Sequence, residues 1–179
     1  MANAQQYLTY ETEAWGPSLP ASNYNTDWYN QILRNAFYQD HNVSVSGGEG
    51  KNKYLLNLSY LGDEGIIINN TYDRYTVRFN NEFDVSSQIK IGIVSSFSNE
   101  TAQNVPIQTA FTDAYRVSPM VPGFIDGRYG NSSKFQNVGN PILDTKSTND
   151  KSINNKLQGD AYLEYKPCTM DHIEICIRR

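Results

Sequence analysis

The chain has 179 residues, a hydrophobic content of 39% and a formal net charge of −4 at pH 7. The acidic balance argues against a nucleic-acid-binding protein, which normally presents a basic surface. No run of about 18 apolar residues is present, so the sequence predicts no transmembrane helix, and its first residues lack the basic start and apolar middle of a secretory signal peptide.

The first forty residues are expected to contain two short helices. Residues 3–15 have weak helical periodicity, and Asn3 is a plausible N-cap. Glycine and prolines then interrupt regular structure at 16–20. A second helix is expected to begin at Thr26, whose hydroxyl can accept a hydrogen bond from the first turn.

From His41 the hydrophobic period changes to two, which is typical of strands whose side chains alternate between faces. We expect about five strands of roughly 8–13 residues, long enough for the 9–11 residues that a tilted strand needs to cross a bilayer. Their apolar positions are Val43 and Val45; Tyr54, Leu56, Leu58 and Tyr60; Tyr75, Val77, Phe79 and Phe83; Ile89, Ile91, Ile93 and Phe97; and Leu157, Ala161, Leu163 and Tyr165.

Alternation alone leaves open whether the apolar face meets lipid or a protein core. Aromatic residues near strand ends are typical of the girdle of a membrane barrel, but cross-strand aromatic pairs in a soluble sandwich give the same pattern. One observation favours the barrel: the segment 99–155 is long and polar, whereas the turns at 47–52 and 84–88 are short. Outer-membrane barrels combine long external loops with short periplasmic turns.

Several motifs, in the same order along residues 3–166, resemble the SusC/RagA family of TonB-dependent outer-membrane transporters. They are Asn25-Thr26-Asp27-Trp28, Ser44-Val45-Ser46-Gly47-Gly48, Gly65-Ile66-Ile67, Tyr72-Asp73-Arg74-Tyr75-Thr76 and Ile89-Lys90-Ile91-Gly92. The resemblance implies an all-β fold with short N-terminal helices. It predicts a partial antiparallel transmembrane β-barrel in which about five consecutive strands form an open, curved sheet. No segment of this sequence is expected to correspond to the family's plug domain.

The resemblance also divides the chain. Residues 1–40 correspond to a segment of the first extracellular loop, and 41–166 to barrel strands, about the second to sixth of about 22. A long extracellular loop lies at 99–155. Residues 167–179 depart from the family pattern, and we hypothesise a frameshifted tail there.

The function implied is that of a fragment of a transporter that imports oligosaccharides or peptides with energy relayed by TonB. The expected partners of the intact relative are a SusD-like surface lipoprotein, TonB and outer-membrane lipid, with the cell outer membrane as its location. The fragment itself is expected to be transport-incompetent, and neither enzymatic activity nor a cofactor is expected. The alternative is a small soluble β-sheet module that binds carbohydrate.

No residue is assigned as catalytic, cofactor-binding or metal-ligating, and the substrate-binding residues are unknown. Cys168, His172 and Cys176 have a spacing that would align three metal-capable groups on a helix, but a fourth ligand is not evident. Carboxylates at strand ends are expected to be solvated: Asp63, Glu64, Asp73 and Asp84. Loop aromatics could stack on sugar rings or pack together: Trp15, Tyr24, Trp28, Tyr29, Phe124 and Tyr129.

Overall fold

The computed structural model describes residues 3–15, 23–133, 138–167 and 173–178, with the backbone alone for 10–15 and 173–178. The chain divides into two compact units. We call Met1–Ala36, Glu64–Thr71 and Gln103–Lys151 the loop unit, and Phe37–Asp63, Tyr72–Ala102 and Ser152–Arg179 the sheet unit. The expected division at residues 40 and 166 follows sequence order instead, and it stays a prediction.

Long strands build the sheet unit. In chain order the strands are β1 (Tyr38–Glu49), β2 (Asn52–Glu64), β3 (Thr71–Asp84), β4 (Ile89–Asn104), the two-residue β5 (Phe124–Ile125) and β6 (Arg128–Tyr129), β7 (Asp150–Tyr165) and β8 (Ile173–Arg178). The main sheet has the order β1-β2-β3-β4-β7-β8, is antiparallel and does not close on itself. The predicted fold class, an open antiparallel sheet of consecutive strands, is confirmed.

The sixth strand of this sheet comes from the atypical tail. The backbone of β8 pairs antiparallel with β7, from Tyr165 opposite Ile173 to Asp160 opposite Arg178. The sequence pattern did not identify this strand. Its pairing shows that the tail continues the sheet by one short edge strand.

Two short turns lie side by side at one end of the sheet. The β1–β2 hairpin turns through Gly50 and Lys51, and the positive φ of Gly50 (57°) with none at Lys51 is the pattern of a type II′ turn. The β3–β4 turn is held by Ser86, whose hydroxyl oxygen accepts from the N–H of Ile89 at 3.1 Å. The Lys51 carbonyl accepts from the Asp84 N–H at 2.8 Å, which joins the two turns.

The strands bordering the long connection extend beyond their expected ends. β4 continues to Asn104 and β7 begins at Asp150, so the connection is shorter than the expected 99–155. Polar side chains on the extended parts of β4 and β7 bond to each other: Asn99 Nδ2 donates to Asn155 Oδ1 at 2.7 Å. Because this extension is polar apart from Ala102 and Ile153, its sequence carries too few apolar positions to reveal a strand by alternation.

Among the residues that the structure describes, four helices belong to the loop unit: α1 (Ala4–Trp15), α2 (Trp28–Ile32), α3 (Ile107–Arg116) and α4 (Pro141–Ser147). The expected N-cap Asn3 is confirmed, since its Oδ1 accepts from the Gln6 N–H at 2.8 Å and Gln6 Oε1 accepts in return. The expectation for Thr26 is wrong. Asp27 caps α2, because the Thr26 hydroxyl instead donates to the Val121 carbonyl at 2.6 Å.

Every buried apolar side chain that the structure describes lies in the loop unit. Its core cluster consists of Trp28, Ile32, Ala110, Ala114, Val117, Met120, Val121, Val138 and Ile142. Trp28 is fully buried, and its Nε1 donates to the Ser118 carbonyl at 3.0 Å. Within the described ranges, no helix is both long and apolar enough to cross a membrane.

Candidate functional site

One face of the main sheet is apolar and exposed. On β3, Val77 and Phe79 are 40% and 41% exposed, and on β7 the exposed fraction of Leu157 reaches 77%. Further large apolar residues at alternating positions of β1, β2, β3, β4 and β7 are also exposed: Val43, Val45, Tyr54, Leu56, Leu58, Tyr75, Phe83, Ile91, Ile93, Phe97, Leu163 and Tyr165. Soluble monomers rarely expose an apolar area of this extent.

Cross-strand register keeps these residues on one side. Val43 lies opposite Leu58 and Val45 opposite Leu56 in the β1–β2 ladder. A one-residue slip would move the whole apolar set to the other face, so this alignment is strongly specified by the pattern. We call this surface the apolar face.

The opposite face of the same sheet is hydrophilic and holds a cleft. The cleft has a volume of about 300 Å³ and is lined by polar and charged side chains from five strands: Asn42, Asn57, Ser59, Arg74, Thr76, Arg78, Ser96, Ser98, Glu100, Lys156 and Gln158. Asn57 Nδ2 donates to Asn42 Oδ1 at 2.7 Å across the first two strands. We call this surface the polar cleft.

An aromatic cluster with polar tips lies on the apolar side, at the end of the sheet away from the short turns. Tyr60 is stacked with His41 at 6.2 Å and tilted against Tyr75 at 4.8 Å between ring centroids. The Tyr60 hydroxyl donates to Asp73 Oδ1 at 2.8 Å and is also approached by Gln39 Nε2. Rings with an apolar body and a hydrogen-bonded tip suit the boundary between hydrocarbon and water.

The four carboxylates at strand ends that the sequence singled out have different partners. Asp73 accepts from Tyr60, while Glu64 forms an ion pair with Arg34 at 3.5 Å. Asp63 and Asp84 have no ion-pair partner in the described part of the chain. The four carboxylates lie at the ends of β2 and β3, and their described contacts do not bring them together into one acid–base site.

The loop aromatics, for which the sequence leaves both sugar stacking and mutual packing open, divide between buried and exposed positions. Trp28 belongs to the core, so it cannot stack on a sugar, and Tyr29 packs against Phe111 with ring centroids 6.1 Å apart. Phe124 is 57% exposed and meets Tyr129 edge to face at 4.9 Å in the β5–β6 hairpin. Tyr24 is also exposed, and the Trp15 side chain lies outside the described residues.

The spacing of the tail cysteines does not place them on a helix where the backbone is described. Cys176 lies on strand β8, whereas Cys168 and His172 fall outside the described residues. Residues that are described show no group of three or more metal-ligating side chains.

Sequence reasoning missed two features of the structure. The polar cleft collects Arg74, Arg78 and Lys156, whose even positions on neighbouring strands could have signalled a shared basic patch. The loop-unit hairpin turns at Asp126-Gly127, where both residues have positive φ (48° and 77°). An Asp-Gly pair is a recognised type I′ turn signal.

Comparisons of the sequence with known proteins find TonB-dependent receptors. The chain is 27% identical over 191 aligned residues to TonB-dependent receptor SusC of Bacteroides thetaiotaomicron, covering 92% of this chain and 19% of that protein. It is 25% identical to TonB-dependent receptor P3 of Formosa agariphila, covering 84% of this chain and 16% of the relative. The chain thus spans less than a fifth of the length of these relatives. No family model matches the sequence.

Comparison of the fold with solved structures gives the same class of protein. A structure of the RagAB peptide transporter superposes with a TM-score of 0.64 and 16% identity, covering 97% of this chain and 21% of that one. The RagAB peptide importer in its "closed-closed" state gives a TM-score of 0.63 over 93% of this chain. In sequence and in fold, this chain is therefore similar to TonB-dependent receptors of the SusC and RagA type.

Proposed function

We propose that this chain forms part of the wall of a TonB-dependent transporter barrel in an outer membrane. The observation that carries this proposal is the contrast between the two faces of the sheet. The apolar face is exposed, the opposite face is hydrophilic, and every buried apolar side chain described lies in the other unit. A lipid-facing outside and a watery lumen require this arrangement.

The connections between strands supply an orientation. The two short turns at 50–51 and 85–88 lie at one end of the sheet, and we assign this end to the periplasm. The connections 65–70 and 105–149 leave from the other end, as does the chain before β1. These longer segments are assigned to the extracellular side, in keeping with the loop asymmetry of outer-membrane barrels.

The activity we assign to the complete barrel is import of oligosaccharides or peptides, driven through TonB and assisted by a surface lipoprotein. Two observations support it: the similar sequences are TonB-dependent receptors, and the similar folds are RagAB peptide transporters. The edge strands β1 and β8 offer unpaired backbone groups that further strands would satisfy. The chain by itself is therefore expected not to transport, and no covalent chemistry is assigned to it.

A pair of arginine substitutions tests which face meets lipid. Val77 lies at the middle of β3 on the apolar face, and Thr76 points into the polar cleft. Val77→Arg should reduce the free energy of insertion into phosphatidylcholine vesicles by about 2–4 kcal/mol, as for arginine at the midplane of a barrel. Thr76→Arg, the matched control, should change it little, because that side chain faces water.

Insertion is measured by vesicle flotation of the refolded chain across a urea series. Equal losses for the two variants would contradict the proposed lipid face. A chain that stays in solution as a monomer and melts cooperatively without detergent would instead support the soluble carbohydrate-binding module. Size-exclusion chromatography with and without detergent detects that outcome.

A further inference from the structure

The polar cleft carries an excess of unpaired positive charge. Arg74, Arg78 and Lys156 line it together with a single carboxylate, Glu100. In the described part of the chain, none of these three cations has a carboxylate within salt-bridge distance. By contrast, Lys90 of β4 forms an ion pair with Glu82 at 3.9 Å.

One of these cations is also short of a hydrogen-bond acceptor. The Arg74 Nε is buried and has no partner among the described residues. A buried guanidinium nitrogen without an acceptor destabilises the folded state, because no hydrogen bond offsets its loss of hydration. Arg74 lines the cleft, so an anion bound there would lie beside a guanidinium group that is short of one acceptor.

The layout of the charges suits an extended ligand better than a single small ion. Arg74 and Arg78 are four residues apart on β3, about 13 Å along the strand. Lys156 lies on β7, two strands away from β3 in the sheet order, about 9–10 Å across. Several carboxylates along one extended chain can reach these three positions together.

The remaining lining distinguishes peptide from sugar. The cleft contains amides and hydroxyls, from residues such as Asn57, Ser96 and Gln158, but its lining includes no aromatic side chain. Sugar rings are commonly held on aromatic faces, whereas an extended peptide needs amide and hydroxyl partners for its backbone and cations for its carboxylates.

We propose that the polar cleft binds an acidic peptide in extended conformation, as cargo passing along the wall of the barrel. This inference rests on the proposed function for its setting in a lumen. Arginine is the side chain best matched to carboxylate, since its planar fork can donate two parallel hydrogen bonds. Arg74 and Arg78 are therefore assigned as carboxylate-binding residues, with Lys156 as a third cation.

The test is a binding titration on the complete 179-residue chain refolded in detergent micelles, with strand content checked by circular dichroism. The probe is fluorescein-labelled hexaglutamate, followed by anisotropy at low and high salt. Hexaglutamine and an oligogalacturonate of the same length are the comparison probes. We expect hexaglutamate to bind most tightly of the three, with an affinity that falls as salt rises.

Charge variants locate the site. Arg74→Gln combined with Arg78→Gln should weaken hexaglutamate binding by tenfold or more, on the basis of about tenfold for each charged hydrogen bond removed. Arg74→Lys combined with Arg78→Lys should retain most of the binding. Arg128→Gln removes the same charge from the exposed loop-unit hairpin and should leave the affinity unchanged.

A gain-of-binding variant keeps the test decisive if the arginine variants fold poorly. Glu100→Gln removes the one carboxylate that lines the cleft and should tighten hexaglutamate binding severalfold. Equal affinity for hexaglutamine, tighter binding of oligogalacturonate, or no response to Glu100→Gln would overturn the inference. Flotation separates this failure from failure of the proposed function, because a chain that inserts correctly but ignores hexaglutamate refutes only the peptide site.

Discussion

At the scale of single residues, Asn140 links a helix to a hairpin in the loop unit. It is buried, and its Oδ1 accepts from the Ile142 N–H at 3.0 Å to cap α4. Its Nδ2 donates to the carbonyls of Gly123 and Gly130, each at 3.1 Å. One side chain thus fixes the start of a helix and both ends of the β5–β6 hairpin.

Asn140→Ala should destabilise the loop unit by about 1–3 kcal/mol, since it removes a helix cap and the hydrogen bonds of Nδ2 to the Gly123 and Gly130 carbonyls. The measurement is urea unfolding followed by the fluorescence of the buried Trp28. Asn131→Ala, at an exposed position, is the matched control. An unchanged unfolding midpoint for Asn140→Ala would show that the network contributes nothing.

Asp144 makes the loop unit sensitive to pH. Burial, together with the neighbouring Asp113 carboxylate, raises the pKa of Asp144 above its ordinary value of 3.8. Both carboxylates lie against Gly139, where a Cβ would come within 2.9 Å of Asp113 Oδ2 and 3.2 Å of Asp144 Oδ2. The folded state therefore holds the Asp144 proton more tightly than the unfolded chain does.

The sign of the effect follows from that difference. Protonated Asp144 contributes to the free energy of unfolding, and this contribution is complete below pH 3.8, the pKa in the unfolded chain. It is lost as the pH rises through the raised pKa of Asp144 in the folded state. Asp113→Asn should lower the pKa of Asp144 and flatten the stability profile, with a gain at neutral pH. Trp28 fluorescence in urea at several pH values measures this, with the exposed Asp126→Asn as control. A profile as steep as that of the unaltered chain would contradict the prediction.

These residues also show what the sequence could not reveal. The sequence pattern around Trp28 is compatible with an exposed aromatic that stacks on sugar and with a core residue. A five-residue helix has too few turns to define a buried face. The cap at Asn3 was predictable, since its partner Gln6 is only three residues away. Thr26 forms its bond with Val121, a long-range contact that local rules do not contain.

At the scale of elements, the close packing of β4 against β7 depends on a glycine. The ring of Tyr162 lies over Gly92, where an added Cβ would overlap the ring atoms. From there the Tyr162 hydroxyl donates to Glu82 Oε1 at 2.8 Å, so one side chain reaches from β7 across β4 to β3. Tyr54 covers Gly47 in the same way on the β1–β2 hairpin. Aromatic rings commonly compensate strand glycines in this manner.

Gly92→Ala should therefore destabilise the sheet by about 1–3 kcal/mol, through displacement of Tyr162 and loss of its bond to Glu82. Urea unfolding in micelles, followed by circular dichroism at strand wavelengths, measures the change. Gly159→Ala on β7 is the control, because a Cβ there meets nothing within 4 Å. If both alanine variants unfold at the same urea concentration, the ring–glycine packing is not a source of stability.

The sequence predicts the position of a strand where one of its faces is apolar. It does not predict the strand ends where apolar residues are sparse. Val77 and Phe79 define β3 by alternation alone. The ends of β4 and β7 are polar, and the pairing of Asn99 with Asn155 fixes them through side-chain amides instead. Helix α4 is only seven residues long and buries Pro141, Ile142 and Thr145, so its sequence carries little helical period. Helix α3 does carry one, at Ile107, Ala110, Phe111 and Ala114, and this signal could have predicted it.

At the scale of the whole molecule, the central claim is that the apolar face meets lipid and the polar cleft meets water. The alternation of apolar and polar residues was visible in the sequence. Whether the apolar face meets lipid or a protein core was not, because both environments select the same residues. The structure adds that the apolar face is exposed in the sheet unit, and that the described apolar core lies in the loop unit. The proposed membrane setting rests on the similarity to SusC and RagAB.

The most direct measurement of this claim is a nitroxide scan along residues 74–80 of β3 in vesicles, in a chain with both native cysteines replaced by serine. We predict that collisions with oxygen, which concentrates in lipid, are frequent at Tyr75, Val77 and Phe79. Collisions with a water-soluble nickel chelate should be frequent at the residues between them, with a period of two. Absence of this alternation, or its reversal, would contradict the assignment of the apolar face to lipid.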